Sequence, residues 1–352
     1  MKLKLLLTII FLISALLSYN QNIEYYLSSF DKRDDSLKFE LNQIIKDHIE
    51  FGYTSSSTDV WDILKQTDKD TANADNVILL YSGRSVDAEQ EYNNGSGWNR
   101  EHVWAKSRGD FGTSAGAGTD VHHLRPCDIE VNETRNNRNF DNCINCMEVI
   151  DDGFNTGSKT DANLWTFEPR DEVKGDVARI VFYMTVRYEG EGGEPDLELT
   201  NTLLSNTDKS PLHAVMNTLI EWNRIDTVSD WEKNRNEIIY RNFQLNRNPF
   251  IDYPELAEYL YGNKIGERWN PTKPTVGIVQ AEANFIVYPN PACNYLNIKG
   301  DFDSYFIMNK YGQTLITSNS QETISISQLK SGMYFINVVN NEKVLTKKLI
   351  KN

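Results

Sequence analysis

Glu101 and His102 stand side by side in a stretch, Trp98 to Phe140, that reads WNREHVWAKSRGDFGTSAGAGTDVHHLRPCDIEVNETRNNRNF. This stretch holds three of the five histidines. A carboxylate such as Glu101 is a hard oxygen donor suited to Mg2+ or Ca2+. An imidazole with an ordinary pKa near 6.5 can take a proton from water at neutral pH. Asn132 offers a neutral oxygen to the same ion. A cation held by so few protein groups keeps positions for water and a phosphate. It would stabilise a leaving oxygen while His102 activates the attacking water. An arginine would neutralise phosphate charge in the transition state. A Glu–His pair alone is commonly surface decoration, and His122 and His123 are equally at home in a core. The weight lies in the joint order of these groups along the chain.

That order demands particular elements. Residues 98–104 alternate, which puts Trp98, Arg100, His102 and Trp104 on one side of a strand. Residues 109–118 are a glycine-rich loop, and 120–125 form a second short strand that Pro126 halts. Residues 128–139 then read as a helix on which Asn132, Arg135, Asn136 and Asn139 share one face. In a regular strand Glu101 and His102 point to opposite faces. For both to reach one phosphate, the strand must twist, bulge or end there.

The segments WNREHVWAKS, DVHHLRP and EVNETRNNRNF resemble the secreted endonuclease I family, which has a ββα-metal (His-Me finger) core. FEPRDEVKGDVARIVFYMTVRY and WEKNRNEIIYRNFQLNRNPFIDYPELAEY agree with it, so the resemblance spans roughly residues 23–265. It implies that His102 is the general base and that Glu101 and Asn132 hold one divalent cation, Mg2+ first, with Mn2+ or Ca2+ as alternatives. His122 matches a histidine of the second strand, and His123 stands where the family often has Asn. The arginine that meets the phosphate is not fixed by the resemblance. Arg125, Arg108 and Arg135 are the candidates. His122, Arg135 and Asn136 are the expected substrate contacts. The implied activity is hydrolysis of phosphodiester bonds in DNA, and also in RNA, with little sequence preference. That suits a site that reads backbone rather than base edges. A mainly RNA-directed nuclease and a decayed nucleic-acid-binding or surface protein are the alternatives. The presence of Glu101, His102 and Asn132 together argues against decay.

Around this centre the chain reads as α+β, mainly helical over a catalytic domain at 22–268. Leu37, Leu41, Ile44, Ile45 and Ile49 recur at helical spacing in a helix over 34–50. A short helix over 59–65 and a buried strand over 77–81 follow. Residues 174–188 form an amphipathic helix with a stripe of Val177, Ile180, Val181 and Met184. Further helices are expected over 212–222, 231–241 and 254–261. A Pro- and Gly-bearing linker occupies 269–283. Seven short β-like runs then fill 284–352 and imply a small all-β sandwich. VYPNPACNYLNI, NKYGQTL, LKSGMYFINV and KKLIK there resemble the type IX secretion sorting domain. Such tails engage the export machinery at the outer membrane and are commonly removed. An adhesive β-module is the alternative.

Residues 1–20 have the layout of a signal peptide: Lys2 and Lys4, then an almost wholly apolar run from Leu5 to Leu17. That run falls short of the roughly 20 residues that span a bilayer. The protein is therefore expected outside the cell or on its surface, without stable membrane insertion, and as a monomer. The net charge of −14 argues against a broadly basic nucleic-acid-coating surface, but not against a cleft with local cations and a metal. Export permits disulfides among Cys127, Cys143, Cys146 and Cys293. One bridge from Cys127 to the Cys143/Cys146 pair would staple the active-site helix. Buried thiols are the other reading, since no second pair completes a zinc site.

Overall fold

The computed structural model describes residues 23–272, 286–299, 302–309, 313–319, 323–340 and 343–351. The signal peptide and most of the linker expected from the sequence lie outside the described residues. The chain divides into two compact units between Lys273 and Pro274. Each is described by itself.

The first unit mixes helices and strands. It begins with α1 (Asp34–Ile45) and α2 (Val60–Thr67), followed by the antiparallel pair β1 (Asn76–Ile78) and β2 (Ser85–Asp87). The hairpin-like pair β3 (Trp98–His102) and β4 (Leu124–Asp128) leads into α3 (Ile129–Arg135). Next come β5 (Asn139–Phe140), β6 (Met147–Asp151), β7 (Phe154–Asp161) and β8 (Thr166–Glu168). They form one sheet in the order β5-β8-β7-β6. Then follow α4 (Lys174–Arg187), the parallel pair β9 (Glu198–Thr200) and β10 (Leu212–Val215), and helices α5 (Met216–Ile225), α6 (Asp230–Asn242), α7 (Pro249–Asp252) and α8 (Leu256–Leu260).

Local chemistry sets several boundaries. Asp59 caps α2 by accepting from the N–H groups of Trp61 and Asp62, and Ser229 caps α6 with Glu232 answering it. All of α4 is buried, including its charges. Arg179 forks onto Glu232 at 2.7 and 2.9 Å, and Arg187 onto Glu194 at 2.8 and 3.0 Å. Charges taken out of water in this way are tolerated because they are paired and hydrogen-bonded. The expected stripe Val177, Ile180, Val181 and Met184 does join the main core. A second apolar cluster lies beneath β3 and β4, where Trp98 meets Trp61 edge to face at 4.7 Å.

Several expectations are corrected. α1 stops at Ile45, and Ile49 is exposed, its N–H donating to the Gln244 carbonyl. The buried run at 77–81 is strand only to Ile78. Pro126 does not halt the second strand but lies inside β4, opposite Arg100. Its carbonyl accepts from Leu80 N–H, so its donor-less nitrogen also faces away from β3 and breaks no ladder bond. α3 ends at Arg135, because Asn136 adopts a left-handed φ of 51°. Leu212–Val215 pairs with β9 before α5 begins. Residues 139–168, where no periodic pattern marks an element, supply the four-stranded sheet. Cys143 is bonded to Cys146, while Cys127 is a buried free thiol facing the main core, so no bridge staples α3.

The second unit contains β11 (Ile286–Tyr288), β12 (Tyr295–Lys299), β13 (Ser304–Asn309), β14 (Thr314–Asn319), β15 (Thr323–Ser325), β16 (Gly332–Asn340) and β17 (Lys343–Lys351). They make a sheet in the order β11-β12-β15 and another in the order β14-β13-β16-β17. Leu296, Ile298 and Ile324 from one sheet and Ile307, Ile336, Val338 and Leu349 from the other belong to one buried cluster. Among the described residues no helix is long and apolar enough to cross a membrane.

Candidate active site

β3 and β4 pair so that Glu101 lies opposite Arg125 and His102 opposite Leu124. His102 is the last strand residue, and the chain bends away at Val103 and Trp104. The strand ends where two consecutive side chains must serve one site. Glu101, His102 and Asn132 of α3 all line one open cleft of about 300 Å3.

Each of the three is held by named partners. The buried Glu101 accepts from Tyr81 Oη at 2.8 Å and meets Arg135 Nη1 at 3.1 Å, both through Oε1. Burial pushes its pKa up, against the pull of Arg135 and of the Tyr81 hydroxyl. His102 Nε2 lies 3.0 Å from the Gly118 carbonyl. A carbonyl only accepts, so Nε2 carries the hydrogen and Nδ1 keeps its lone pair. Burial pushes the His102 pKa well down, helped by the neighbouring His123, and so holds the ring neutral. Tyr53 stacks on the ring at 5.5 Å. Asn132 Nδ2 donates to the Arg100 carbonyl at 3.3 Å, which leaves its Oδ1 as an acceptor.

The glycine-rich loop supplies the carbonyls that orient two histidines. Ala117 O accepts from His123 Nε2 at 2.7 Å, next to the Gly118–His102 bond. Gly118 is required by close approach. A Cβ there would sit 2.6 Å from Ser114 O and 2.8 Å from Gly112 O.

The arginines are placed differently from one another. Arg135 lines the cleft but is buried and committed. Its Nη1 donates to His102 O at 2.9 Å, and its Nη2 donates to Val103 O and to His213 Nε2. It fixes the turn of chain just after Glu101 and His102. Arg125 is buried outside the cleft lining, 2.6 Å from Asp68 and 3.6 Å from Asp176. Arg108 is fully buried and donates to the Asp208 and Asn137 carbonyls at 2.9 Å. His122 also stands apart, its Nε2 against Asn246 and its ring against Tyr183 at 4.6 Å. Asn136 lines the cleft as the residue that ends α3, whereas Asn139 is buried in β5.

Sequence reasoning missed Lys106. It lines the cleft, is exposed, and has no hydrogen bond or ion pair among the described residues. Its charge bears on both Glu101 and His102. Its place four residues after His102, in WAKS, was the available signal. Arg100, a third cation of the cleft beside Lys106 and Arg135, is stacked on Tyr53 at 3.4 Å and Trp61 at 4.0 Å and donates to Tyr53 O. Tyr81 was hidden in an apolar run.

Glu101 and Asn132 offer one carboxylate and one amide oxygen to an open cleft. That donor set fits a hard, mostly hydrated cation such as Mg2+. A positive ion there would also offset the cost of burying Glu101 as a carboxylate.

Two family profiles match the chain: Endonuclease I over residues 34–255, and a secretion system C-terminal sorting domain over residues 286–352. The chain is 48% identical to an extracellular ribonuclease of Bacillus subtilis (strain 168) over 246 residues, 69% of this chain and 80% of that protein. It is 46% identical to an extracellular ribonuclease of Bacillus amyloliquefaciens over 249 residues, 70% of this chain and 82% of that protein. It is also 29% identical over 133 residues to Endonuclease-1 of Buchnera aphidicola subsp. Acyrthosiphon pisum (strain APS), 38% of this chain and 44% of that protein.

Proposed function

This chain belongs to the endonuclease I family and is an exported nuclease, and from that premise we propose that it is a metal-dependent, sequence-tolerant endonuclease acting on both RNA and DNA. The observation that carries the reading is the convergence of Glu101, Asn132 and a correctly oriented His102 on one cleft.

His102 Nδ1 takes a proton from water, and that water's oxygen forms the new bond to phosphorus. The bond to the departing sugar oxygen breaks, and that oxygen gains a proton from solvent. Water as the nucleophile makes the 2′-hydroxyl dispensable, which is why DNA serves as well as RNA. Glu101 and Asn132 would hold the divalent cation, Mg2+ in the first place, and when bound it would supply Lewis-acid stabilisation of the leaving oxygen. Lys106 neutralises the phosphate from solvent, while Arg135 holds the backbone that carries Glu101 and His102. The ribonuclease names of the two Bacillus relatives support RNA as a substrate. Residues 22–268 carry the nuclease, and residues 284–352 carry the address for type IX export.

The test is digestion of plasmid DNA and of RNA by the purified protein, with and without chelator. His102→Ala is expected to lower kcat on both by about 10²- to 10⁴-fold with the fold intact. A His102→Ala protein that cuts at the wild-type rate overturns the mechanism. Undiminished cutting in chelator overturns the metal's part in it.

A further inference from the structure

Three consecutive residues after α3 are left over by this mechanism, and all three grip one tryptophan. Asn137 Oδ1 accepts from Trp165 Nε1 at 2.8 Å. The Arg138 guanidinium lies over the Trp165 ring at 3.9 Å. Asn139 donates to the Trp165 carbonyl through both its backbone N–H, at 2.9 Å, and its Nδ2, at 3.1 Å. The run of Asn and Arg after α3 is therefore not one helix face, although Asn136 and Asn137 line the cleft. It positions an indole.

That indole stands outside the apolar cores. Trp165 is half-buried and belongs to none of the three apolar clusters among the described residues. Its backbone is left-handed, with φ of 56°, a conformation that bulky L-residues rarely adopt. Such strain persists where surrounding bonds over-determine it, and here the Asn139 clamp does so. The ring is also tied to the cleft. Asn137 lines the cleft, and its Nδ2 donates to Asn206 O and to Ser107 Oγ, another lining residue.

We propose that Trp165, backed by Arg138, is a stacking platform for an unpaired nucleobase of the substrate strand beside the scissile phosphate. The proposal rests on the nuclease reading and adds a preference to it. An aromatic face held beside a phosphate-cutting cleft accepts any base, because every base has a π-face. It accepts only a base free of its own neighbours, so single-stranded RNA or DNA gains from it and an intact duplex does not. Arg138 adds a cation to the stack, which strengthens it for an electron-rich base.

Binding can be measured apart from cutting. The full chain is titrated with a fluorescently labelled single-stranded RNA oligomer in chelator, and separately with a blunt DNA duplex of equal length. Trp165→Ala is expected to weaken the single strand by roughly 5- to 100-fold and to leave the duplex unchanged. Trp165→Phe, which keeps a ring, restores most of the affinity. The oligomer should also quench less tryptophan emission in Trp165→Phe than in wild type. Wild-type affinity of Trp165→Ala for the single strand, equal loss on both nucleic acids, or unchanged quenching in Trp165→Phe overturns the platform. None of these readouts depends on which group activates water, so a failure here is distinct from a failure of His102→Ala.

Discussion

His102 and Glu101 are both buried, and burial moves their pKa values in opposite directions. His102 is pushed down, so its neutral, basic form survives to lower pH than an ordinary imidazole. Glu101 is pushed up, so its carboxylate begins to take protons at higher pH than an ordinary side chain, and a proton there competes with a cation. The acid limb of kcat/KM is therefore expected below the usual histidine value of about 6.5. Raising the cation concentration should move it lower still. A limb at or above that value that ignores cation concentration contradicts the assignment. Lys106 has its own signature. Lys106→Ala should cost on the order of 10² in kcat/KM on RNA and DNA alike, and Lys106→Arg should recover part of it. An unchanged rate would remove it from the phosphate.

At the scale of elements, the site depends on a loop that contributes no catalytic side chain. Gly118 packs against Ser114 and Gly112 so closely that a Cβ has no room, and its carbonyl fixes the His102 tautomer. Gly118→Ala is expected to cost about 1–3 kcal/mol of stability, since backbone atoms cannot step aside as a flexible side chain would. It should lower kcat more than it raises KM. Thermal unfolding and kinetics on the same sample check both. A fully active, fully stable variant would mean that the carbonyl is not what orients the ring. Arg135 plays the corresponding part from α3, because its guanidinium fork bonds the carbonyls of His102 and Val103.

For the whole molecule, the chain forms two units with separate cores. Deleting 284–352 should leave nuclease activity intact in purified protein and abolish release into the medium. Release at the wild-type level would count against the sorting role. A thiol reagent applied to native protein should label the exposed Cys293 and spare Cys127, whose thiol is buried and pushed up in pKa. Denaturation should expose Cys127.

The sequence by itself determined which residues form the candidate centre, and that a second, all-strand unit follows the first. Adjacent Glu101 and His102, Asn132 on a following helix, the buried stripe of α4 and the seven alternating runs of the tail are local patterns, and local patterns survive in one dimension. Tertiary structure decided which cleft cation has no partner among the described residues and which polar groups are structural. Arg108, Arg125 and Arg135 look alike in sequence, but each is committed to carbonyls or carboxylates, one of them, Asp208, a hundred residues from Arg108. Lys106 is left to the solvent. The grip of Asn137, Arg138 and Asn139 on Trp165 depends equally on a partner distant in sequence. A buried polar group must find its partner in space, and sequence spacing does not say where that partner will be.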